Sequence, residues 1–339
     1  MKVSRQFALA WILALWSAPS AAITINGFTT ARNDRFASGY PNGSLAPNTD
    51  PSFIGLGYDW SGVGWNAANG DVSYALITPR QMLVANHYSP LKEGGPNIQF
   101  VSSDGQVTSV TVQSEPGAHV DPPYPSDMAT AQFSRPIPQS AGISTYSILF
   151  QGYDPNTYAG YNLLSYGWTA AIGWNTIDTV QTGTSFFSGS SSAFSPDSAY
   201  YMQYLYDGAT PDRIQLNRGD SGSPSFIVTG SPGVMYLAGA HYASTGPGGE
   251  GYDSFLPMSL PTLDSDTSPA GYLPSVVTPT TARWTSASSN TWGAGSNWSS
   301  GTVPNDLLTS GQVTTCASVL FDGLAGSQHL ITLSGSEAV

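Results

Sequence analysis

The sequence predicts an all-β protein, and three observations support this prediction. Charged residues make up 9% of the 339 residues, with only two Lys and four Glu, and these residue types form most helix surfaces. Short apolar runs alternate with turns rich in Gly, Pro, Asn, Asp and Ser, as the 37 Gly and 25 Pro indicate. Beyond the first 22 residues, no 11-residue window shows a convincing apolar period of 3.6 residues.

Residues 1–22 are typical of a secretory signal peptide. Lys2 and Arg5 form a positive start, Phe7–Trp16 is an apolar run, and Ser20–Ala22 provides a small-residue cleavage site. The apolar run is short for a membrane span, which takes about 20 residues, although an uncleaved anchor is the alternative. We therefore expect a protein that is secreted or held at a cell surface or in a periplasm, with no integral membrane segment after cleavage.

Charge and cysteine content limit the possible partners and the means of stabilisation. The net charge is −12, which disfavours nucleic acid as a partner because phosphate binding requires clustered cations. The single cysteine, Cys316, has no second cysteine in the chain with which to form a disulfide. We expect a fold held by its apolar core and no cofactor, and the oligomeric state is left open.

The predicted strands follow one another at a spacing that suits a barrel or a sandwich. They are Val72–Ile77, Met82–Ala85, Gln106–Val112, Met128–Phe133, Tyr146–Phe150, Ser225–Val228 and Val234–Ala240. Residues 23–265 form the predicted main domain. Residues 266–282 are rich in Ser, Thr and Pro and indicate a linker.

After the linker, residues 283–339 differ in composition. Three Trp residues lie in a polar stretch rich in turn-forming residues. They are followed by Val303-Pro304-Asn305, Phe321-Asp322-Gly323 and Ile331-Thr332-Leu333. This order resembles the autotransporter-associated β-strand repeat of bacterial surface proteins, which implies a short coil of β-solenoid. Since about three repeats are normally needed to bury their faces, we expect an incomplete repeat segment.

Three motifs carry residue types that can perform nucleophilic catalysis. His87 follows the apolar run Met82–Ala85 after one residue, Asn86, and Asp127 directly precedes the run that begins at Met128. Ser221 lies in the motif Gly219-Asp220-Ser221-Gly222-Ser223-Pro224. A serine hydroxyl is a poor nucleophile without an adjacent base. A histidine can accept its proton and pass it to the leaving group, and an aspartate can orient the imidazole.

These motifs, in the order His, Asp, Ser, resemble the trypsin-like (chymotrypsin-fold) serine endopeptidases over about residues 52–245. The resemblance implies two antiparallel six-stranded β-barrels, with His87 as base, Asp127 as orienting acid and Ser221 as nucleophile in the cleft between them. The backbone N–H groups of Gly219 and Ser221 are expected to form the oxyanion hole. Asp220 is expected to be the buried partner of a positive group, which in activated relatives is the new amino terminus.

The specificity residues follow from the same resemblance. Gln215 occupies the position where trypsin-type enzymes carry an Asp, six residues before the nucleophile, so cleavage after Lys or Arg is disfavoured. Gly239-Ala240-His241-Tyr242 is similar to a motif of the glutamyl endopeptidases, in which the histidine pairs with a substrate carboxylate. This predicts His241 as specificity residue with Ser244 as helper. The alternative is a strand histidine bonded to a neighbouring carbonyl.

Two functions therefore remain open from the sequence. The first is a secreted serine endopeptidase that acts through an acyl-enzyme intermediate and prefers an acidic residue before the scissile bond. The second is a catalytically silent protease-like domain that acts as a surface adhesin or binding module. A metal site at His119, Asp121 and Asp127 is disfavoured, since the spacing matches no standard zinc pattern.

Overall fold

The computed structural model describes most of residues 23–277 and isolated strands beyond them. The described residues are 23–68, 70, 72–85, 95–113, 127–182, 200–217, 219–230, 233–246, 248–260, 263, 267–277, 280–283, 290–291, 308–309, 313–314, 317–320 and 331–332. The predicted signal peptide and His87 lie outside these residues.

Nearly all regular structure is β-strand, which confirms the predicted all-β class. The strands are β1 (Thr24–Ile25), β2 (Phe36–Ser38), β3 (Ala46–Pro47), β4 (Val63–Asn66), β5 (Ser73–Thr78), β6 (Gln81–Ala85), β7 (Asn97–Val101), β8 (Val107–Thr111), β9 (Met128–Gln132), β10 (Ile148–Leu149), β11 (Asn162–Tyr166), β12 (Ile172–Thr176), β13 (Thr179–Thr182), β14 (Tyr200–Leu205), β15 (Ile214–Gln215), β16 (Pro224–Gly230), β17 (Gly233–Ser244), β18 (Glu250–Phe255), β19 (Val276–Val277), β20 (Thr280–Arg283), β21 (Asn290–Thr291), β22 (Leu308–Thr309), β23 (Val313–Thr314), β24 (Ala317–Leu320) and β25 (Ile331–Thr332). Helix α1 spans Thr30–Asn33, and short 3-10 turns span Gln139–Ala141, Pro155–Tyr158, Leu256–Ser259 and Ser268–Ala270.

The first half of the chain forms an antiparallel six-stranded sheet in the order β8-β7-β4-β5-β6-β9. Its strands β5 and β6 are buried along their whole length, because apolar residues face both sides. One side packs around Tyr74, Phe100 and Phe133, with the last two rings edge to face at 6.0 Å. The last residue of β6, Ala85, is therefore buried and paired within this sheet.

The second half forms an antiparallel seven-stranded sheet in the order β12-β11-β16-β17-β18-β14-β13. Two sheets of six and seven strands match the expected two-barrel architecture, but the second has one strand more than predicted. The predicted run Val234–Ala240 continues to Ser244, so that His241 lies within β17.

The largest apolar cluster of the described residues joins residues of the two sheets. Trp60 and Tyr146 enclose Phe226 of β16 at ring-centroid distances of 5.8 and 4.7 Å. The guanidinium of the buried Arg35 lies 4.7 Å from the Phe36 ring and donates to the Val63 carbonyl at 2.7 Å. Aromatic packing and one satisfied cation thus fill the core.

The predicted linker contributes to this body. Within it, β19 pairs in parallel with β10, and Val276 and Val277 are buried. Beyond β19, backbone pairing is parallel between β20 and β24 and between β21 and β25, and antiparallel between β22 and β23. The domain boundaries and the repeat assignment stay predictions.

In the described part of the chain, no helix has the length and apolar character needed to cross a membrane.

Truncating the central core ring is expected to destabilise the fold. Phe226→Ala removes a fully buried ring and leaves a cavity, so the free energy of unfolding should fall by about 3–5 kcal/mol. Val234→Ala on the paired strand is the control, because Val234 is 54% exposed and its loss should change that free energy by less than about 0.5 kcal/mol. Urea denaturation of the two variants measures both values, and equal losses would contradict the assigned core.

Candidate active site

The loop around Ser221 has a defined backbone conformation. Gly219 and Gly222 have φ angles of 107° and 87°, in the left-handed region that favours glycine. The Asp220 N–H donates to the Asn217 carbonyl at 3.2 Å, and the Ser223 N–H donates to the Asp220 carbonyl at 3.0 Å. The two glycines therefore permit a tight turn that carries Ser221 at a partly exposed position.

The same loop lies against the strand that leads toward His87. A Cβ atom added to Gly222 would lie 3.3 Å from the backbone nitrogen of Ala85, the last residue of β6. Ala85 is in turn the register partner of Met128 in β9, the residue after Asp127. His87 itself lies outside the described residues, but the chain segments that flank all three predicted catalytic residues converge at this point.

Asp127 is 1% exposed and lies near two tyrosines of the second sheet. The Tyr201 and Tyr242 rings stack with centroids 4.9 Å apart. Burial raises the pKa of both phenols, and the negative charge of Asp127 raises it further. The charge of Asp127, next to β9 of the first sheet, therefore raises the pKa of Tyr242, the residue after His241 on the second sheet.

Asp220 belongs to the same loop as Ser221, and its side chain is almost completely buried. Burial raises the pKa of its carboxyl to about 6, because a charged carboxylate is poorly solvated there. The nearby His241 charge and backbone N–H groups oppose this rise. Asn217 N donates at 2.9 Å and Trp168 N at 3.5 Å, and the Ile23 N–H is also directed at the carboxylate. The Asp220 carboxylate thus lies beside the backbone nitrogen of Ile23, and its role as partner of a positive group stays a prediction.

His241 is 1% exposed, and both of its ring nitrogens are engaged by protein groups. Nδ1 lies 2.8 Å from the Asp253 Oδ1 atom, and Nε2 lies 3.1 Å from the Tyr166 carbonyl oxygen. A substrate carboxylate would have to displace one of these partners to reach the ring. The carbonyl contact is the one expected if His241 is a strand histidine bonded to its neighbours, and the predicted specificity role receives no direct support.

The other predicted specificity residues lie at different depths. The buried Gln215 donates from Nε2 to the Gly246 carbonyl, in the loop after β17, while Ser244 at the end of β17 is exposed. Asp212 is paired with Arg32, whose Nε lies 2.7 Å from Oδ1. The nearest acidic residue to Gln215 in sequence is therefore already neutralised.

Sequence reasoning missed Asp253 as a partner of His241. Asp253 is the register partner of His241 across the β17–β18 hairpin, and its Oδ1 also accepts from the Tyr204 hydroxyl at 2.8 Å. The glycines at 246, 248 and 249 between the two strands were the available signal, because they indicate a hairpin. The bulge between His241 and Ala243 in this strand pair is not apparent from sequence alone.

The described residues contain no cluster of three or more His, Cys, Asp or Glu side chains that could hold a metal ion. The alternative metal ligands His119 and Asp121 lie outside the described residues.

Comparison with known proteins adds little to this geometry. No protein-family model and no curated protein sequence matches the chain. Solved structures do match, among them a mutant of human heparin binding protein (CAP37), with 12% identity, 62% of this chain and 92% of that chain covered, and a TM-score of 0.45. A similarity at this level bears on neither catalysis nor specificity.

The raised pKa of Asp220 predicts a pH-dependent stability in a chain that still carries residues before Ile23. Because the folded state holds the proton more tightly, the free energy of unfolding should fall as pH rises from about 4 to about 6, by on the order of 2 kcal/mol. Asp220→Asn should lose the part of this fall that comes from Asp220 and keep the part that comes from Asp34, because burial also raises the pKa of Asp34 to about 6. The Asp50→Asn control should show the same fall as the wild type, because Asp50 has a lowered pKa. Urea denaturation across this pH range measures the effect, and an equally large fall in Asp220→Asn would contradict it.

Proposed function

We propose that the chain is a secreted serine endopeptidase that hydrolyses peptide bonds through His87, Asp127 and Ser221. The observation that supports this most directly is the approach of the Ser221 loop to the end of β6. The last residue of β6, Ala85, is separated from His87 by only one residue. Ala85 pairs in the sheet with Met128, the residue after Asp127. Chain segments next to three motifs that are far apart in the sequence thus lie close together, which supports the proposal.

In the proposed mechanism, each residue has one role. His87 accepts the Ser221 proton while the Ser221 oxygen attacks the substrate carbonyl, and Asp127 stabilises the resulting imidazolium. The Gly219 and Ser221 N–H groups stabilise the oxyanion of the tetrahedral intermediate. His87 then protonates the leaving amine, which yields an acyl-enzyme, and a water activated by His87 releases the acid and regenerates Ser221.

The proposal includes maturation by removal of residues 1–22 during export. Cleavage after Ala22 creates an amino terminus at Ile23, whose nitrogen is already directed at the Asp220 carboxylate. An ammonium at this position would stabilise the buried negative charge far better than an amide N–H does. No further activating cleavage is then needed.

Preference for an acidic residue before the scissile bond stays a prediction. It rests on His241 and Ser244, and the contacts of His241 with Asp253 and Tyr166 leave it without geometric support. Long-range repulsion by the net charge of −12 also disfavours acidic substrates.

Replacing the nucleophile tests the proposed activity. Ser221→Ala should abolish covalent labelling by a fluorophosphonate probe and lower kcat by at least about 10⁴-fold. Ser223→Ala is a matched control in the same loop, because the buried Ser223 hydroxyl makes no hydrogen bond within the described structure and its loss should leave labelling intact. Absence of labelling in the wild-type protein, at any amino terminus, would favour the silent binding module.

The amino terminus provides a second test. A chain that begins at Ile23 should label with the probe at least about tenfold faster than one that retains Ala22, because only the first places an ammonium next to Asp220. Amino-terminal sequencing of the secreted protein should begin at Ile23. Equal labelling rates for the two forms, or a secreted protein with a different start, would contradict direct maturation by signal cleavage.

A further inference from the structure

The contacts of the His241 ring indicate how many protons the His241–Asp253 pair holds. A backbone carbonyl only accepts hydrogen bonds, so the Tyr166 oxygen at 3.1 Å requires a proton on Nε2. The carboxylate oxygen at 2.8 Å from Nδ1 requires a proton on that side as well. With one proton fewer, a nitrogen lone pair would face an acceptor oxygen at one of the two contacts.

The electrostatic surroundings support the extra proton. Burial opposes the charged imidazole, but Asp253, Asp220 and the Tyr166 carbonyl more than offset it, and the pKa of His241 is raised. Within the described structure the Oδ2 atom of Asp253 accepts no hydrogen bond, so its charge depends on the imidazolium for compensation. The Tyr204 hydroxyl faces Asp253 as a donor, and burial raises its pKa well above the usual range.

The position of His241 connects this proton to the nucleophile loop. The Gly222 N–H donates to the His241 carbonyl at 3.0 Å, and the His241 N–H donates to the Ser223 carbonyl at 2.9 Å. On its other side, the ring holds the carbonyl of Tyr166, two residues before Trp168, whose N–H faces Asp220. The residue therefore joins β11, β18 and the loop that carries Ser221.

We propose that His241 is a positioning residue, a buried imidazolium held between Asp253 and the Tyr166 carbonyl that fixes the Ser221 loop against β11. The proposal rests on the endopeptidase function proposed above and gives His241 a role in positioning rather than in binding substrate. Loss of the proton breaks one of the two ring contacts and loosens the loop for every substrate equally. Activity should therefore decline as pH rises and His241 loses this proton.

The sign of the pH effect follows from the surrounding groups. Asp253 on β18, Asp220 in the nucleophile loop and Tyr204 on β14 face the cluster, and the carbonyl of Tyr166 on β11 adds a partial negative charge. Because the folded pKa of His241 is raised, its stabilising effect is complete below the unfolded value of about 6.5 and is lost as pH rises through the folded value.

Nuclear magnetic resonance of the imidazole nitrogens tests the protonation state independently of activity. The full chain with Ser221→Ala and ¹⁵N-labelled histidine is used, and His241→Gln assigns the signal among the four histidines. The expected result is protons on both ring nitrogens at pH values above about 6.5, where a free histidine is mostly neutral. A singly protonated ring at pH 7 would overturn the proposal, whether or not the protein is a protease.

Kinetics on a peptide library then separates positioning from specificity. Asp253→Asn should lower kcat more than tenfold at pH 8, move the alkaline limit of activity to lower pH, and leave KM and the preference before the scissile bond unchanged. Tyr204→Phe, which removes one hydrogen bond to Asp253 and keeps the charge, is the control and should move this limit less. His241→Gln should slow all substrates by a similar factor.

Loss of activity confined to substrates with Glu or Asp before the scissile bond would overturn the positioning role in favour of specificity. A wild-type chain beginning at Ile23 that fails to label with the fluorophosphonate probe would refute the endopeptidase function instead. In that case the pH dependence of unfolding in His241→Gln decides whether the ring still fixes the loop. If this variant shows the same alkaline loss of stability as the wild type, the positioning role is refuted as well.

Discussion

The burial of carboxylates at the junction of the two sheets is the constraint on which the site depends. Asp127, Asp220 and Asp253 are each at most 1% exposed, in a chain with only 10 Lys and Arg against 22 Asp and Glu. An uncompensated buried charge is strongly destabilising, so each carboxylate needs a nearby positive group or several donors. The His241 ring contacts Asp253 and is its proposed positive partner, and the Ile23 nitrogen lies close to Asp220. The geometry of the loop around Ser221 is therefore linked to the charge balance of the buried groups that pack against it.

This balance gives the amino terminus a structural role in the proposed enzyme. With Ile23 as an internal residue, the cluster holds two carboxylates and one imidazolium, and the pKa of Asp220 rises to about 6. With Ile23 as a free ammonium, the charges of the cluster cancel. Under the proposed function, a single cleavage before Ile23 would then stabilise the loop around Ser221 and so connect maturation to the proposed oxyanion donors, the N–H groups of Gly219 and Ser221.

Local sequence signals predicted the strands well but not their long-range partners. The predicted run Met82–Ala85 differs from β6 by one residue, because apolar runs between turn residues report directly on buried strands. The glycines of the Ser221 motif are also a local signal, since Gly219 and Gly222 have the positive φ angles that glycine favours. In contrast, the contact between His241 and Asp253 depends on hairpin register and a bulge, and the docking of Val276–Val277 depends on tertiary packing. Neither leaves a local pattern.

The most direct test of the account is a pre-steady-state burst measured with an activated ester substrate on the chain that begins at Ile23. A serine endopeptidase that acts through an acyl-enzyme releases the first equivalent of alcohol faster than it turns over. The account predicts a burst of about one equivalent per chain that disappears in Ser221→Ala. Steady hydrolysis without a burst in the wild type, or a burst that persists in Ser221→Ala, would contradict Ser221 as the nucleophile.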